Sequence, residues 1–151
     1  EPACRQLAAR ARQHVRAETP RFALSREEGE KVATAFFDAV LTGDTGNLGA
    51  LLAAGAVLHS DGGGHRRAAL RPIYGADRIG RFYAGLARKG AIGRPLWTAS
   101  LRINGLPGLA SVEADLMLQT TAIQAQDGRI AAIYVTRNPE KLAHVARLVP
   151  R

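Results

Sequence analysis

Several things are scarce in this sequence, and each scarcity narrows what the chain can be. It has one cysteine, Cys4, so no internal disulfide can staple it and no Cys-rich metal site is available. No apolar run approaches the length that spans a bilayer, and nothing at the start reads as a signal peptide, so the expected compartment is the cytoplasm. Acidic residues are in deficit, 13 against 21 Lys and Arg, a formal net charge of +8. Aromatics make up 5% of the residues. The four histidines, His14, His59, His65 and His144, have no metal-ligand spacing, and neither a metal nor a cofactor is expected.

What is present suits one compact domain with some extra length: 151 residues, 46% of them hydrophobic. The charge is unevenly spread. Residues 1–26 carry six Arg against Glu1 and Glu18, and residues 61–102 carry nine basic residues against Asp61 and Asp77. Either segment suits nucleic acid or an acidic protein face; a GC-rich genome and a solvated surface would give the same Arg-rich composition.

The most unusual stretch is Asp61-Gly62-Gly63-Gly64-His65, between the apolar run Ala56-Val57-Leu58 and a basic segment. Three glycines fit where the backbone needs unusual dihedrals or close approach, so a tight turn between strands is expected. The Lys-Ser/Thr of a phosphate-binding P-loop is missing and no helix-opening pattern follows, which disfavours a phosphate cradle. A mobile hairpin tip is the plain alternative.

Residues 3–16 have helical spacing, with Cys4, Leu7, Ala8, Ala11 and Val15 on one face and Arg5, Arg12 and Arg16 on another. Residues 17–24 read as a linker around Pro20. Ser25-Arg26-Glu27-Glu28 is a capping-box pattern, predicting a helix with Val32, Ala35, Phe36, Ala39 and Val40 as its apolar stripe and Gly43 as its end. A shorter helix through Leu48, Leu51 and Leu52 is expected to stop near Gly55. Gly75 to Lys89 is amphipathic, with Ile79, Phe82, Tyr83 and Leu86 at helical spacing.

From Pro95 the period changes to two. Asn104-Gly105 and Asp127-Gly128 supply hairpin turns, strands are expected at 109–113, 114–126 and 130–136, and a last short helix covers 139–148. Helices ahead of an antiparallel meander give an α+β fold, with helices packed on one curved face of the sheet to make a cone. Such a cone can hold a ligand, and Phe37, His59, Tyr83, Trp97 and Tyr134 are candidate lining residues, although aromatics at these spacings also suit plain core.

Four segments carry a family resemblance: Asp61 to Gly64; the run from Arg67 to Gly75; Gly128 to Tyr134; and Asn138-Pro139-Glu140-Lys141-Leu142. With these, residues 25–146 resemble the SnoaL-like domain of the nuclear-transport-factor-like cone superfamily, found at the C-terminus of one group of extracytoplasmic-function sigma factors. Residues 3–16 resemble the recognition helix that ends sigma region four. The resemblance implies three parts, 1–16 from region four, 17–24 as linker and 25–148 as SnoaL-like domain. It departs from the family at His65, where Lys is usual, and at Glu140, where Asp is usual. Sigma region two is missing, so the expectation is a C-terminal fragment of a sigma factor.

Several roles follow from the resemblance. Arg5, Gln6, Arg10 and Arg12 would contact promoter DNA in the parent protein, Arg5 and Gln6 near bases and Arg10 and Arg12 near phosphates. Asp61, Gly62, Gly63, Gly64, His65, Asn138 and Pro139 would form a regulatory motif. RNA polymerase core and promoter DNA would be engaged through the missing regions, with an intramolecular contact to the sigma core, and a small ligand or homodimer pairing through the sheet is also possible; no membrane contact is expected. The competing reading is a cyclase- or isomerase-type enzyme using His59, Asp61, Tyr83 or Asp115 for proton transfer.

Overall fold

The computed structural model describes residues 26–64, 69 and 71–150. The basic residues Arg5, Arg10 and Arg12, together with Gln6, the cap Ser25, the linker and His65, lie outside them. Helix α1 runs Arg26–Thr42 and ends at Gly43, whose φ of 74° gives the left-handed turn of a helix stop. After a 3-10 turn at Thr45–Asn47 and the single-turn helix α2 (Leu48–Leu51) come strands β1 (Leu52–Asp61) and β2 (Ile73–Tyr74), then helix α3 (Ala76–Arg88). Strands β3 (Trp97–Ile103), β4 (Leu106–Val112), β5 (Leu118–Gln126) and β6 (Arg129–Thr136) follow. The chain then forms helix α4 (Pro139–Leu142) and a 3-10 turn at Val145–Leu148. Among the described residues no helix is long and apolar enough to cross a membrane.

The strands make one six-stranded sheet in the order β2-β1-β6-β5-β4-β3. Neighbouring pairs are antiparallel except β1 and β6, which run parallel and bring Asp61 beside Thr136. Both predicted hairpins are present. Asn104 and Gly105 have φ of 50° and 82°, and Asp127 and Gly128 have 51° and 73°, the positive pair that a two-residue turn with the right twist demands.

One face of the sheet presents Leu58, Ile123 and Ile133, all fully buried, to Ala33 and Phe36 of α1 and Ile79 and Tyr83 of α3. This is the main core. On the opposite face a smaller cluster forms where Leu142 and Val145 lie over Ala110, with Trp97, Leu101 and Leu118 packed around them. The C-terminal segment therefore straps the outer face while two helices fill the inner one.

Four expectations change. Leu52 starts β1 and Gly55 lies inside that strand, because Leu52 pairs with Ile130 of β6; the apolar spacing of Leu48, Leu51 and Leu52 imitates a helix that lasts one turn. The stripe of α1 is turned slightly: Ala33 is buried and Ala35 exposed, since a face of Ala33, Phe36, Phe37 and Val40 covers both phenylalanines. The strand expected from 114 starts at Leu118, after a turn in which Leu116 takes a φ of 62° and the Asp115 carboxylate accepts from Met117 N at 3.2 Å. The last helix is broken into α4 and a 3-10 turn, each burying one residue, Leu142 and Val145, on the outer face.

Candidate functional site

The parallel pairing of β1 with β6 is what builds the candidate site. Because the two strands run in the same direction, their C-terminal ends meet, and the segments that follow them are forced together. After β1 comes Gly62-Gly63-Gly64; after β6 come Arg137 and Asn138. Arg137 N donates to Asp61 O at 2.7 Å, extending the ladder one step past the last paired residues.

Asp61 holds both sides of this junction with one carboxylate. Its Oδ1 accepts from Gly63 N at 2.8 Å, closing an Asx turn over the glycines. Its Oδ2 accepts from Lys141 Nζ at 2.7 Å, across 80 residues of sequence. The pair is partly solvated, with Asp61 36% and Lys141 66% exposed, so solvent screens it. The Lys141 hydrogen bond, then the Gly63 amide, hold the Asp61 carboxyl below its ordinary value of 3.8.

Asn138 completes the junction. It is buried, caps α4 by accepting from Glu140 N at 3.1 Å, and has Pro139 at the first helical position, where the missing N–H costs nothing. Its side chain also lies flat on Gly63: a Cβ there would sit 2.6 Å from Asn138 Cγ. Gly63 and Gly64 both have positive φ, 64° and 75°, so the glycine run is used for its backbone freedom and, at Gly63, for close approach. The expected turn is there, but it does not join two strands directly, since β2 begins only at Ile73.

Asp61, Gly62, Gly63, Gly64, Asn138 and Pro139 thus converge in one surface. Lys141 belongs with them and Arg137 flanks them. Lys141 was present in the sequence motif but not singled out; the signal that could have found it is a lysine within one turn of a helix cap whose partner motif opens with Asp. Arg137 Nη2 in turn meets Asp115 Oδ2 at 2.8 Å, tying the β4–β5 turn to the same end of the sheet.

The candidate lining residues are distributed differently. Phe37 and Tyr83 belong to the main core, Tyr83 nearly buried and Phe37 at the edge. Trp97 packs in the outer cluster. His59 and Tyr134 stand side by side on the outer face as stacked rings, 5.2 Å apart and 7° from parallel, and both are exposed. The Tyr134 hydroxyl donates to Gln124 Oε1 at 3.0 Å. The five lie on two opposite faces of the sheet.

Of the proton-transfer candidates, His59 and Asp61 share a face of β1 and Asp115 lies at the same end of the sheet, while Tyr83 is in the main core. No hydrogen bond joins any two of His59, Asp61, Tyr83 and Asp115 among the described residues. Burial pushes the Tyr83 phenol well above its ordinary value, which keeps it protonated at neutral pH.

No family model matches the chain. By sequence it is similar to the ECF RNA polymerase sigma factor SigJ of Mycobacterium tuberculosis, at 30% identity over 150 residues, which are 93% of this chain and 48% of that protein. The crystal structure of the same extracytoplasmic-function sigma factor superposes with a TM-score of 0.69 at 26% identity, over 94% of this chain and 50% of SigJ. The chain is a homologue of an extracytoplasmic-function sigma factor. It spans about half the length of SigJ. Its described part has the nuclear-transport-factor-like, SnoaL-like cone fold. An NTF2-like protein of unknown function from Mesorhizobium loti shares that fold at a TM-score of 0.53 and 15% identity, over 76% of this chain and 93% of that one. So does a putative ketosteroid isomerase from Kribbella flavida, at 0.52 and 15%, over 73% and 77%. At such identities the likeness carries the fold alone.

The SnoaL-like domain's junction has a pH signature. A carboxyl whose folded pKa is depressed contributes stability above its unfolded value, and that contribution fades as pH falls through the folded value. Wild type should therefore have a higher thermal midpoint than Lys141→Met at pH 6–7, and the gap should close as pH drops below 3.8 toward the lowered value. Midpoints measured by circular dichroism across pH 2.5–7 check this; a gap that stays constant with pH would mean that the charge on Asp61 is irrelevant.

Proposed function

We propose that this SnoaL-like domain is a built-in regulator of a sigma factor that directs RNA polymerase to promoters. It acts through a contact between its Asp61–Gly64 and Asn138–Lys141 surface and the sigma core. The observation that carries the reading is the junction itself: two segments about 75 residues apart form one charged surface, held by the Asp61 carboxylate and the buried Asn138 against Gly63. A turn this strongly constrained, with two left-handed glycines, a buried cap and an ion pair, suits a preformed docking surface more than a loop that only connects strands. His65, directly after the glycines, would add a further contact in place of the family's usual Lys.

The remaining parts follow the same reading. Residues 3–16 would lie in the major groove of the promoter's upstream element, Arg5 and Gln6 near base edges and Arg10 and Arg12 near phosphates. Residues 17–24 would link that helix to the regulator. The regulator's equilibrium between docked and released arrangements is what a partner or ligand would bias.

The test is promoter-directed transcription with core polymerase and the full-length sigma factor. Deleting residues 25–151 and substituting Asp61→Ala should shift transcript yield in the same direction, each by about fivefold or more, the lower range of coupling between sites. Yield unchanged by both alterations overturns the regulatory role. A change on deletion alone would move the docking surface away from Asp61.

A further inference from the structure

Helix α3 divides cleanly into two faces. Ile79 and Tyr83 are buried in the main core with Phe82 and Leu86 beside them. On the solvent side, Arg78, Arg81, Arg88 and Lys89 are all exposed. At 3.6 residues per turn these four fall within about 100° of arc, a continuous stripe along three turns. Gly85 lies in the middle of the stripe, and the Arg88 Nη2 comes within 3.9 Å of where a Cβ on that glycine would sit. The Arg88 guanidinium therefore reaches back to the surface at Gly85, in the middle of the stripe.

None of the four cations has an ion-pair partner among the described residues; Arg71, Arg94, Arg129 and Arg147 are likewise unpaired but lie on separate segments, while Arg26, Lys31, Arg102, Arg137 and Lys141 are paired. Basic side chains that serve only as a solvated surface are commonly interspersed with acids at i±4, and α1 shows that arrangement in Arg26–Glu30 and Glu27–Lys31. In α3 the one acid is Asp77, in the first turn, where it suits the helix dipole. Asp77 stands one turn before Arg81 but forms no ion pair with it among the described residues, and a single acid faces four cations.

We infer that the solvent face of α3 is a sequence-independent contact for the phosphate backbone of duplex DNA. A row of unpaired guanidinium groups on a straight, rigid element matches an extended row of phosphates, which guanidinium can grip in a bidentate manner. The face carries no Asn or Gln to read base edges, so it positions without specifying sequence. It also carries no exposed aromatic or aliphatic anchor, which a protein partner's interface would need at its centre. Charge complementarity without an apolar anchor favours the nucleic acid. The inference goes beyond the regulatory reading and does not depend on it: it concerns the opposite side of the main core from the outer strap and is tested without polymerase.

Binding of the whole chain to a fluorescein-labelled 30-base-pair duplex of arbitrary sequence, followed by anisotropy between 50 and 200 mM KCl, decides it. The variant Arg78→Gln/Arg81→Gln/Arg88→Gln/Lys89→Gln should weaken binding at 50 mM by about tenfold or more and lower the slope of log K against log salt by about 3 to 4, one step per neutralised phosphate. A second variant, Arg5→Gln/Arg10→Gln/Arg12→Gln/Arg16→Gln, measures the share carried by the N-terminal arginines. If the α3 variant binds as wild type does, with an unchanged slope, the inference is overturned. It is also overturned if the α3 variant keeps its DNA affinity but loses affinity for poly-L-glutamate, which would assign the stripe to an acidic protein. Matching far-ultraviolet spectra of wild type and variants exclude unfolding as the cause.

Discussion

Phe36→Ala is expected to destabilise the domain by about 3–5 kcal/mol, the usual range for truncating a buried phenylalanine. The side chain is 1% exposed, at the point where α1, α3 and the inner face of the sheet meet. Its ring meets Tyr83 edge-on at 5.5 Å and 85°, and Phe37 at 5.7 Å and 72°. Truncation removes the transfer energy of the ring, two edge-to-face contacts, and the fill of a space walled by sheet residues that cannot move inward without breaking their ladder. Because native domains hold only about 5–15 kcal/mol in total, the variant should be close to the limit of folding. Urea unfolding by circular dichroism measures the change; Phe37→Ala, at the partly exposed edge of the same cluster, should cost clearly less. A loss below about 1 kcal/mol for Phe36 would mean that the helices do not pack on the sheet as described.

How far this core could be read from the chain depended on the range of the interactions involved. The stripe of α3 and the alternation in β3 are local signals, and Ile79, Tyr83 and Trp97 lie where their spacing puts them, in core clusters. Both hairpins were legible because Asn-Gly and Asp-Gly state their own backbone conformation. Leu52 was misread because four residues of apolar spacing cannot distinguish one helical turn from the start of a strand; its pairing with Ile130 decides, and that contact spans most of the domain. The break near Ala143 has the same origin. Leu142 and Val145 are both buried on the outer face, and continuous helix and a helix broken between them give similar periodicity.

The candidate site shows the same division more sharply. The glycine turn was visible as a backbone requirement. The cap at Asn138 was not read, although a short polar residue before Pro139 is the signal that could have found it. What no window of sequence contains is that β1 and β6 are parallel neighbours, and only that fact brings Asp61 to Lys141. The lining residues fail to converge for a related reason. Tyr83 and Tyr134 are both aromatic residues on regular elements, but a sheet has two faces, and register against distant strands decides which one a ring occupies.

Gly63→Ala should be the most damaging single-methyl change at the junction, costing about 2–3 kcal/mol. Two independent terms contribute. A residue with a Cβ held at a φ of 64° costs about 1 kcal/mol or more relative to glycine. The added methyl would also stand 2.6 Å from Asn138 Cγ and 2.8 Å from its Oδ1, closer than real carbons approach, and Asn138 is a buried cap with no free direction of retreat. Moving it sacrifices the bond from Glu140 N, a cap worth about 1 kcal/mol. The neighbouring Gly64 separates the terms: its φ is 75° but nothing stands within 4 Å of a Cβ there, so Gly64→Ala should show the backbone term alone. Asn138→Gly removes the obstruction, so in that background Gly63→Ala should cost only about 1 kcal/mol, and the double-mutant cycle should return a coupling of similar size. Urea denaturation of wild type and the four variants measures all of these. Additive effects at positions 63 and 138 would show that the two segments do not touch, and with that the preformed surface from which the regulatory reading starts would be lost.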